Sequence, residues 1–337
     1  MSKQMRPPMK KASPKNLGRV IKLLLSFYPR LVPVSVFCIL FSAVAAAVPD
    51  VLIQQVVAAI DKWAPTADWA SAYREILPKI IFLIVLYVAA LAAATLQTQL
   101  MAYITQGFLS KLRRRMFDGM QNLPIKFFDT NKHGDIMSYY TNDIDTQRQL
   151  VSQALPSLIR AGSVVIAVLG IMLYFSIWMT LVVVLGVIAM MFTSKKVGGG
   201  SAKYFIRQQR SIGKAEGFIQ EIMNGQKVVK VFNHEPDAIA DFEKINVELC
   251  DDSMRAHAYA NILGPIINNI GNILYVVVAV AGGIFLLTDV PNFSISGMAF
   301  SISIVVPFLN MTKQFTGNVN QLSQQINAIV MAMAGAE

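Results

Sequence analysis

Polar side chains interrupt two long apolar stretches of this sequence at helical spacing. Asn268 and Asn272 stand four residues apart in one stretch, and Asn310 and Gln314 stand four apart in another. Side chains at i and i+4 share one face of a helix, so each pair would present its amide groups together. In apolar surroundings such groups bind a neighbouring helix or a ligand. We therefore treat these four residues as candidates for lining a ligand cavity, with helix–helix hydrogen bonding as the alternative.

Two cations, Arg160 and Lys313, stand near the ends of apolar stretches. Long basic side chains at such places commonly reach out to the membrane surface while their aliphatic stems stay in apolar surroundings. Turned inward instead, they would favour an anionic substrate or headgroup. Both residues are therefore added to the candidate cavity.

The sequence holds no pattern that predicts catalysis. A phosphate-binding loop needs GxxxxGK[ST], and the Gly213-Lys214 pair is followed by Ala215. We find no Ser/His/Asp or Cys/His arrangement, and the three histidines are scattered without metal-ligand spacing. We therefore predict no catalytic, cofactor-binding or metal-ligating residue, and no ATP hydrolysis by this chain alone.

The composition indicates a membrane protein. Hydrophobic residues make up 54% of the chain and charged residues 15%, against roughly 25% charged in soluble domains. The net charge is +10, but the basic residues avoid the long apolar stretches, a distribution typical of membrane proteins rather than of a basic nucleic-acid-binding face. We therefore expect no nucleic-acid partner.

Six apolar stretches are long enough to cross a bilayer, which takes about 20 residues. Residues 161–194 carry no charge and are too long for one span, so we place a break at Phe175-Ser176-Ile177-Trp178. We find no Asp or Glu inside any span, because Pro49-Asp50 is interpreted as the end of the first. The predicted spans are about 31–49, 80–104, 156–175, 177–196, 259–287 and 295–316.

The distribution of Lys and Arg fixes the predicted orientation. About eight precede the first span, about seven lie between the second and third, and about ten between the fourth and fifth. The first outer loop holds about three and the other outer loops none. Since positive charge marks the cytoplasmic side, both chain ends are predicted to be cytoplasmic in a multi-pass protein of the plasma membrane.

The segments on the cytoplasmic side keep helical spacing. Residues 109–122 and 206–231 have few helix breakers, and they predict helices that project from the membrane. Residues 1–15 are basic and are predicted to be disordered, and residues 16–29 predict an amphipathic elbow helix lying in the membrane interface. The fold class is therefore an all-α membrane protein: six spans, long cytoplasmic helical extensions and an elbow, with residues 30–325 as one domain.

Two signatures in the inner segments resemble those of exporter-type ABC transporter transmembrane domains. The first runs from Leu123-Pro124-Ile125-Lys126-Phe127-Phe128-Asp129 through Gly134-Asp135-Ile136 to Asn142-Asp143-Ile144-Asp145. The second runs from Glu221 through Asn224-Gly225 and Val228-Val229-Lys230-Val231-Phe232 to Glu235. The resemblance covers nearly the whole chain, although Gly198-Gly199-Gly200 departs from it and places the continuity of the fourth helix in doubt.

The resemblance implies two short coupling helices that dock on nucleotide-binding domains. The first would comprise Ile125, Lys126, Phe127, Phe128, Asp129 and Thr130. The second would comprise Pro236, Asp237, Ala238, Ile239, Asp241 and Phe242.

The resemblance also implies the partners and the work done. They are the lipid bilayer, a second transmembrane subunit in a homodimer or heterodimer, nucleotide-binding domains that hold ATP and Mg²⁺, and an amphipathic drug, lipid or peptide exported by alternating access. Residues 326–337 resemble the start of the linker to the nucleotide-binding domain, so we expect either truncation before that domain or an ATPase on a separate polypeptide. The alternatives are an ion-coupled secondary transporter, a channel, and a membrane scaffold without transport activity.

Overall fold

The computed structural model of the chain describes the backbone of residues 14–66, 68–130, 133–288 and 291–335, and nearly all of the segment 1–15 falls outside them. Regular structure in the described residues is entirely helical. This agrees with the predicted all-α class. The helices are α1 (Pro14–Phe27), α2 (Leu31–Trp63), α3 (Trp69–Gln121), α4 (Ile125–Thr130), α5 (His133–Ser138), α6 (Ile144–Gln149), α7 (Leu155–Phe175), α8 (Ile177–Val231), α9 (Glu235–Leu287) and α10 (Ile302–Gly335).

Five helical stretches in the described part of the chain are long and apolar enough to cross a membrane. α10 is not among them, and its described residues are richer in polar side chains. The predicted sixth span, 295–316, overlaps the start of α10. α10 as described is not apolar enough to count as a sixth membrane-crossing helix. The five stretches are Leu31–Trp63, Trp69–Gln121, Ile136–Phe175, Ile177–Lys196 and Glu235–Leu287.

The chain divides into two compact units, residues 181–277 and the remainder. In the larger unit α2 packs against α3, α7 and α10, and α7 packs against α10. The interior of this bundle is mainly apolar, with some buried polar side chains. Its largest fully buried side chains include Phe108, Phe175, Phe308, Met172, Met179 and Met311.

Helix α1 docks on the C-terminal part of α3. Leu24 packs in a buried cluster with Phe108 and Ile144. Gly107 allows the Tyr28 ring to lie directly on α3, because a Cβ at this glycine would overlap the ring. The amphipathic pattern of residues 16–29 is thus accounted for by a helix whose apolar side packs on the bundle.

Ser176 separates α7 from α8, as the sequence predicts. Its backbone is extended (φ −162°, ψ 120°), and the Ile177 N–H donates to the Phe293 carbonyl at 2.8 Å. The Asn292 amide donates to the carbonyls of Phe175 and Met298 at 2.9 and 2.8 Å. These bonds tie the segment before α10 to the α7–α8 turn.

Several predicted boundaries differ from the structure. The helix of the predicted sixth span, α10, begins at Ile302 rather than near 295. The preceding segment is held in an irregular conformation by the bonds just described. α2 continues through the buried Pro49 to Trp63; a proline is tolerated in membrane helices when neighbouring helices cover the freed backbone group. α8 runs unbroken through residues 198–200, and α10 continues beyond 326 to Gly335.

Candidate functional site: helix tips and polar interior

The first tip, residues 122–130, follows α3 and includes α4. The Asn122 side-chain amide donates to the Asp118 carbonyl at 2.9 Å and so helps to end α3. The Phe127 N–H donates to the Pro124 carbonyl at 2.9 Å, which starts the six-residue α4. All residues of the predicted first coupling helix lie in this separate short helix. Ile125 is 80% exposed there, and the Phe127 and Phe128 rings meet edge to face.

The second tip, residues 231–242, joins α8 to α9. Asn233 adopts a left-handed backbone conformation (φ 54°), which short polar side chains tolerate, and the His234 N–H donates to the Val229 carbonyl at 3.0 Å. The chain thereby reverses within three residues. Residues 236–242 of the predicted second coupling helix form the first two turns of the 53-residue α9 rather than a helix of their own.

Two solvent-exposed side-chain contacts span this reversal. Lys230 pairs with Glu235 at 3.0 Å across the turn, and His234 pairs with Asp237 at 2.7 Å. A main-chain N–H at the start of α9 and the Lys230 ammonium lower the pKa of Glu235 below its ordinary value. Three apolar side chains nevertheless point outward at this tip: Val231, Phe232 and Ile239, at 74%, 67% and 69% exposure.

In the unit of residues 181–277, buried and exposed contacts hold α8 and α9 together. Asp252 is 6% exposed; it accepts a hydrogen bond from the Ser211 hydroxyl at 2.7 Å and lies 3.4 Å from the Arg207 guanidinium. Nearer the second tip, Lys214 pairs with Glu248 at 2.8 Å on the surface.

Aromatic stacking supplements these polar contacts along the same two helices. The rings of Tyr204 and Tyr259 stack at 4.5 Å, and those of Phe218 and Phe242 lie at 6.2 Å in a nearly parallel arrangement. These contacts are spread over residues 204–218 of α8 and 242–259 of α9, so bending this part of the helix pair, which we call the rod, would break several of them together.

The candidate pair Asn310 and Gln314 faces α2. The Asn310 amide donates to the Asp50 carboxylate, and the Gln314 amide donates to the Ala46 carbonyl at 3.3 Å. For these two residues the structure shows the helix–helix hydrogen bonding that we considered as the alternative. Whether they also contact a ligand stays a prediction.

Asp50 was not among the candidate residues. It is 0% exposed, and its Oδ2 atom has no hydrogen-bond partner among the described residues. The prediction that no acidic residue lies inside a span took Pro49-Asp50 as the end of the first span, whereas α2 continues through both residues. A Pro-Asp pair embedded between apolar segments on both sides is the signal that would have identified it.

The other candidate cavity residues are exposed. Asn268 and Asn272 belong to the 181–277 unit, while Arg160 and Lys313 belong to the larger unit. Between the two candidate asparagines, the Asn269 amide bonds within its own helix to the Pro265 carbonyl at 2.9 Å. A ligand cavity built from all six residues remains a prediction.

The chain matches a known protein family. A family model described as the ABC transporter transmembrane region matches residues 32–331. That match covers nearly the whole of the described structure, from the start of α2 into α10, and includes both tips.

Relatives carry the same region within longer chains. The chain is 28% identical over 262 residues to an uncharacterized ABC transporter ATP-binding protein of Bacillus subtilis, covering 78% of this chain and 42% of that one. It is 27% identical over 270 residues to a fatty acid ABC transporter ATP-binding/permease protein of Mycobacterium bovis (80% and 41%). It is 23% identical over 256 residues to an ATP-dependent lipid A-core flippase of Syntrophus aciditrophicus (76% and 41%). The chain spans about two fifths of the length of these relatives.

Proposed function

Because this chain belongs to the family of ABC transporter transmembrane regions, we propose that it is the transmembrane subunit of an ATP-driven exporter. The chain would pair with a second transmembrane subunit, in a homodimer or a heterodimer, and move an amphipathic drug, lipid or peptide outward by alternating access. The names of two relatives, a fatty acid transporter and a lipid A-core flippase, support an amphipathic substrate.

The observation that carries this proposal is the exposed apolar surface at the two tips. Phe232 and Ile125 are 67% and 80% exposed at the ends of long helical extensions that also carry many charged side chains. Exposed aromatic and aliphatic side chains on a polar surface mark protein interaction sites. We propose that each tip docks in a groove of a nucleotide-binding domain, where ATP and Mg²⁺ would bind.

The contacts between α8 and α9 give this docking a mechanical use. When two nucleotide-binding domains close on ATP, a docked tip is displaced with them. The Asp252, Lys214 and aromatic contacts keep the two helices from bending separately, so that a displacement at the tip reaches the membrane end. Rigid-body movement of helix pairs is an established way for a packed element to transmit a change.

The ion-coupled transporter is the chief rival. An intramembrane carboxylate can take part in ion coupling, and Asp50 on α2 is a fully buried carboxylate. The family match is the reason to favour the ATP-driven function. Dependence of transport on ATP, rather than on a proton or sodium gradient, separates the two.

The decisive experiment tests the tips in the transporter assembled with its ATP-hydrolysing domains. The chain is reconstituted in liposomes, and transport of a fluorescent lipid and ATP hydrolysis are measured together. Phe127→Ala, Phe232→Ser and Asp241→Ala should each lower the amount transported per ATP. Loss of an aromatic anchor typically costs an interface about 2 kcal/mol or more, so docking at the Phe sites should weaken about tenfold or more.

A matched control sits on the same rod away from the tip. Val247 is 51% exposed on α9, and Val247→Ser removes exposed apolar surface without touching either tip. Its coupling ratio should equal that of the unmodified chain. Normal coupling in all three tip variants, or equal loss in the control, would show that the tips are not the docking sites.

A further inference from the structure

A cavity of about 800 Å³ lies where α1 crosses the C-terminal part of α3, within the larger unit. Its walls come from α1, from α3, from the π-helical turn Tyr139–Asp143 and from α6. The apolar floor contains Phe108 and Ile144, which are 1% and 3% exposed. We call this cavity the α1 pocket.

The rim of the α1 pocket is basic. Arg19 and Lys22 stand three residues apart on α1 and share a face, and Arg115 comes from α3. Among the described lining residues, Asp143 supplies the one carboxylate. Three cations against one acid give the pocket a net positive charge above an apolar floor.

The pocket lies at a boundary between apolar and charged sequence. The uncharged run of α3 ends at Ser110, and Lys111, Arg113, Arg114 and Arg115 follow directly. α1 likewise precedes the apolar start of α2. In the orientation predicted from the charge distribution, the floor is level with the lipid headgroups of the cytoplasmic leaflet.

From this arrangement we infer that the α1 pocket binds one anionic phospholipid of the cytoplasmic leaflet. The phosphate sits between Arg19, Lys22 and Arg115, and an acyl chain lies along Phe108 and Ile144. Guanidinium groups suit this role because they donate two parallel hydrogen bonds to phosphate oxygens. A zwitterionic lipid would bring its own cation to the same rim and bind less well.

The chain's own N-terminal segment is a poor occupant on charge grounds. Residues 1–13 contain Lys3, Arg6, Lys10 and Lys11 and no acidic residue, so they would be repelled by the rim. The same charges favour an anionic membrane surface beside α1. The inference rests on the proposed orientation in the membrane but not on ATP-driven transport, and lipid binding can be measured without hydrolysis.

The test is native mass spectrometry of the purified 337-residue chain in detergent. Equal amounts of a phosphatidylglycerol and a phosphatidylcholine with identical acyl chains are offered, and bound lipid is counted. The unmodified chain should retain one phosphatidylglycerol in preference. Lys22→Gln/Arg115→Gln should weaken that binding about tenfold or more, since each basic group near a membrane surface contributes roughly fivefold.

Two further variants separate a built pocket from general attraction. Arg113→Gln/Arg114→Gln removes the same amount of charge from α3, next to Arg115 but outside the pocket lining, and should change binding by less than about threefold. Leu112→Trp keeps every charge but fills the pocket, and it should abolish the preference. Asp143→Asn should strengthen phosphatidylglycerol binding, because it removes the acid that faces the phosphate.

Four results would contradict the inference. Equal retention of the two lipids, equal loss in the Arg113/Arg114 control, or unchanged binding in Leu112→Trp would each overturn it. Competition by inorganic phosphate at the same concentration as the lipid would show a small-anion site instead. Thermal unfolding of every variant is recorded in the same detergent. If a variant fails to fold, it is replaced by the single variant Lys22→Gln, which keeps Arg115.

Discussion

Polar contacts in two regions of this molecule follow opposite rules. In the larger unit, Asp50 is fully buried and is held by one amide, that of Asn310. In the 181–277 unit, Lys214 and Glu248 form an ion pair with both side chains about half exposed. Burial makes a polar contact expensive to lose, whereas an exposed ion pair contributes little because water replaces the partner. The difference predicts that the buried contact contributes more to the stability of the larger unit than the exposed ion pair contributes to the stability of the 181–277 unit.

The largest effect is expected at the buried contact. Asn310→Leu removes the donor and leaves the Asp50 carboxyl buried without it, which should lower the free energy of unfolding by about 2 kcal/mol. Asp50→Asn keeps a group that can hydrogen-bond to Asn310 and should cost less than about 1 kcal/mol. Thermal unfolding of the purified variants in one detergent measures both. Equal stability of Asn310→Leu and the unmodified chain would contradict the comparison.

An intermediate effect is expected where burial and exposure meet on the same rod. Asp252→Ala leaves the Ser211 hydroxyl and the Arg207 guanidinium without their shared acceptor and should destabilise the 181–277 unit by about 1–3 kcal/mol. Glu248→Ala, about one turn nearer the tip, is the matched control and should cost less than about 1 kcal/mol. Limited proteolysis of α8 and α9, followed over time, reports this unit separately from the bundle. The comparison breaks if the two variants are cleaved at the same rate.

The smallest effect is expected at the exposed pair of the second tip. Because the pKa of Glu235 is lowered in the folded chain, its contribution to the turn is present above the ordinary pKa of 4.5 and is lost as the pH falls through the lower folded value. A carboxyl ¹³C NMR titration should give Glu235 a midpoint below 4.5, and Lys230→Gln should move it upward. A midpoint at or above 4.5 in the unmodified chain would exclude the pairing in solution.

Much of the helical architecture could be predicted from sequence because it depends on local pattern. The charge-free run of residues 161–194 was too long for one span, and Ser176 does separate two helices there. The spacing in residues 109–122 and 206–231 predicted helices that the structure contains. Each of these features follows from the chemistry of neighbouring residues along the chain.

Boundaries set by distant contacts could not be predicted. The helix of the predicted sixth span, α10, starts at Ile302 because Asn292 bonds to the carbonyls of Phe175 and Met298. The bond to Phe175 cannot be predicted from the residues around Asn292. The glycine run 198–200 suggested an interruption, yet α8 is continuous through it. Propensity is a weak influence that packing routinely overrides.

The sequence by itself determined the class of protein and the approximate helices, since these depend on apolar length, periodicity and breakers. The short helix α4 was expected from the family resemblance. Only the tertiary structure decided that Asn310 and Gln314 bond to α2, that Asp50 is buried and that α1 and α3 enclose a basic pocket. The reason is physical: burial and charge clustering arise from which residues meet, and residues 260 positions apart meet only when the chain has folded.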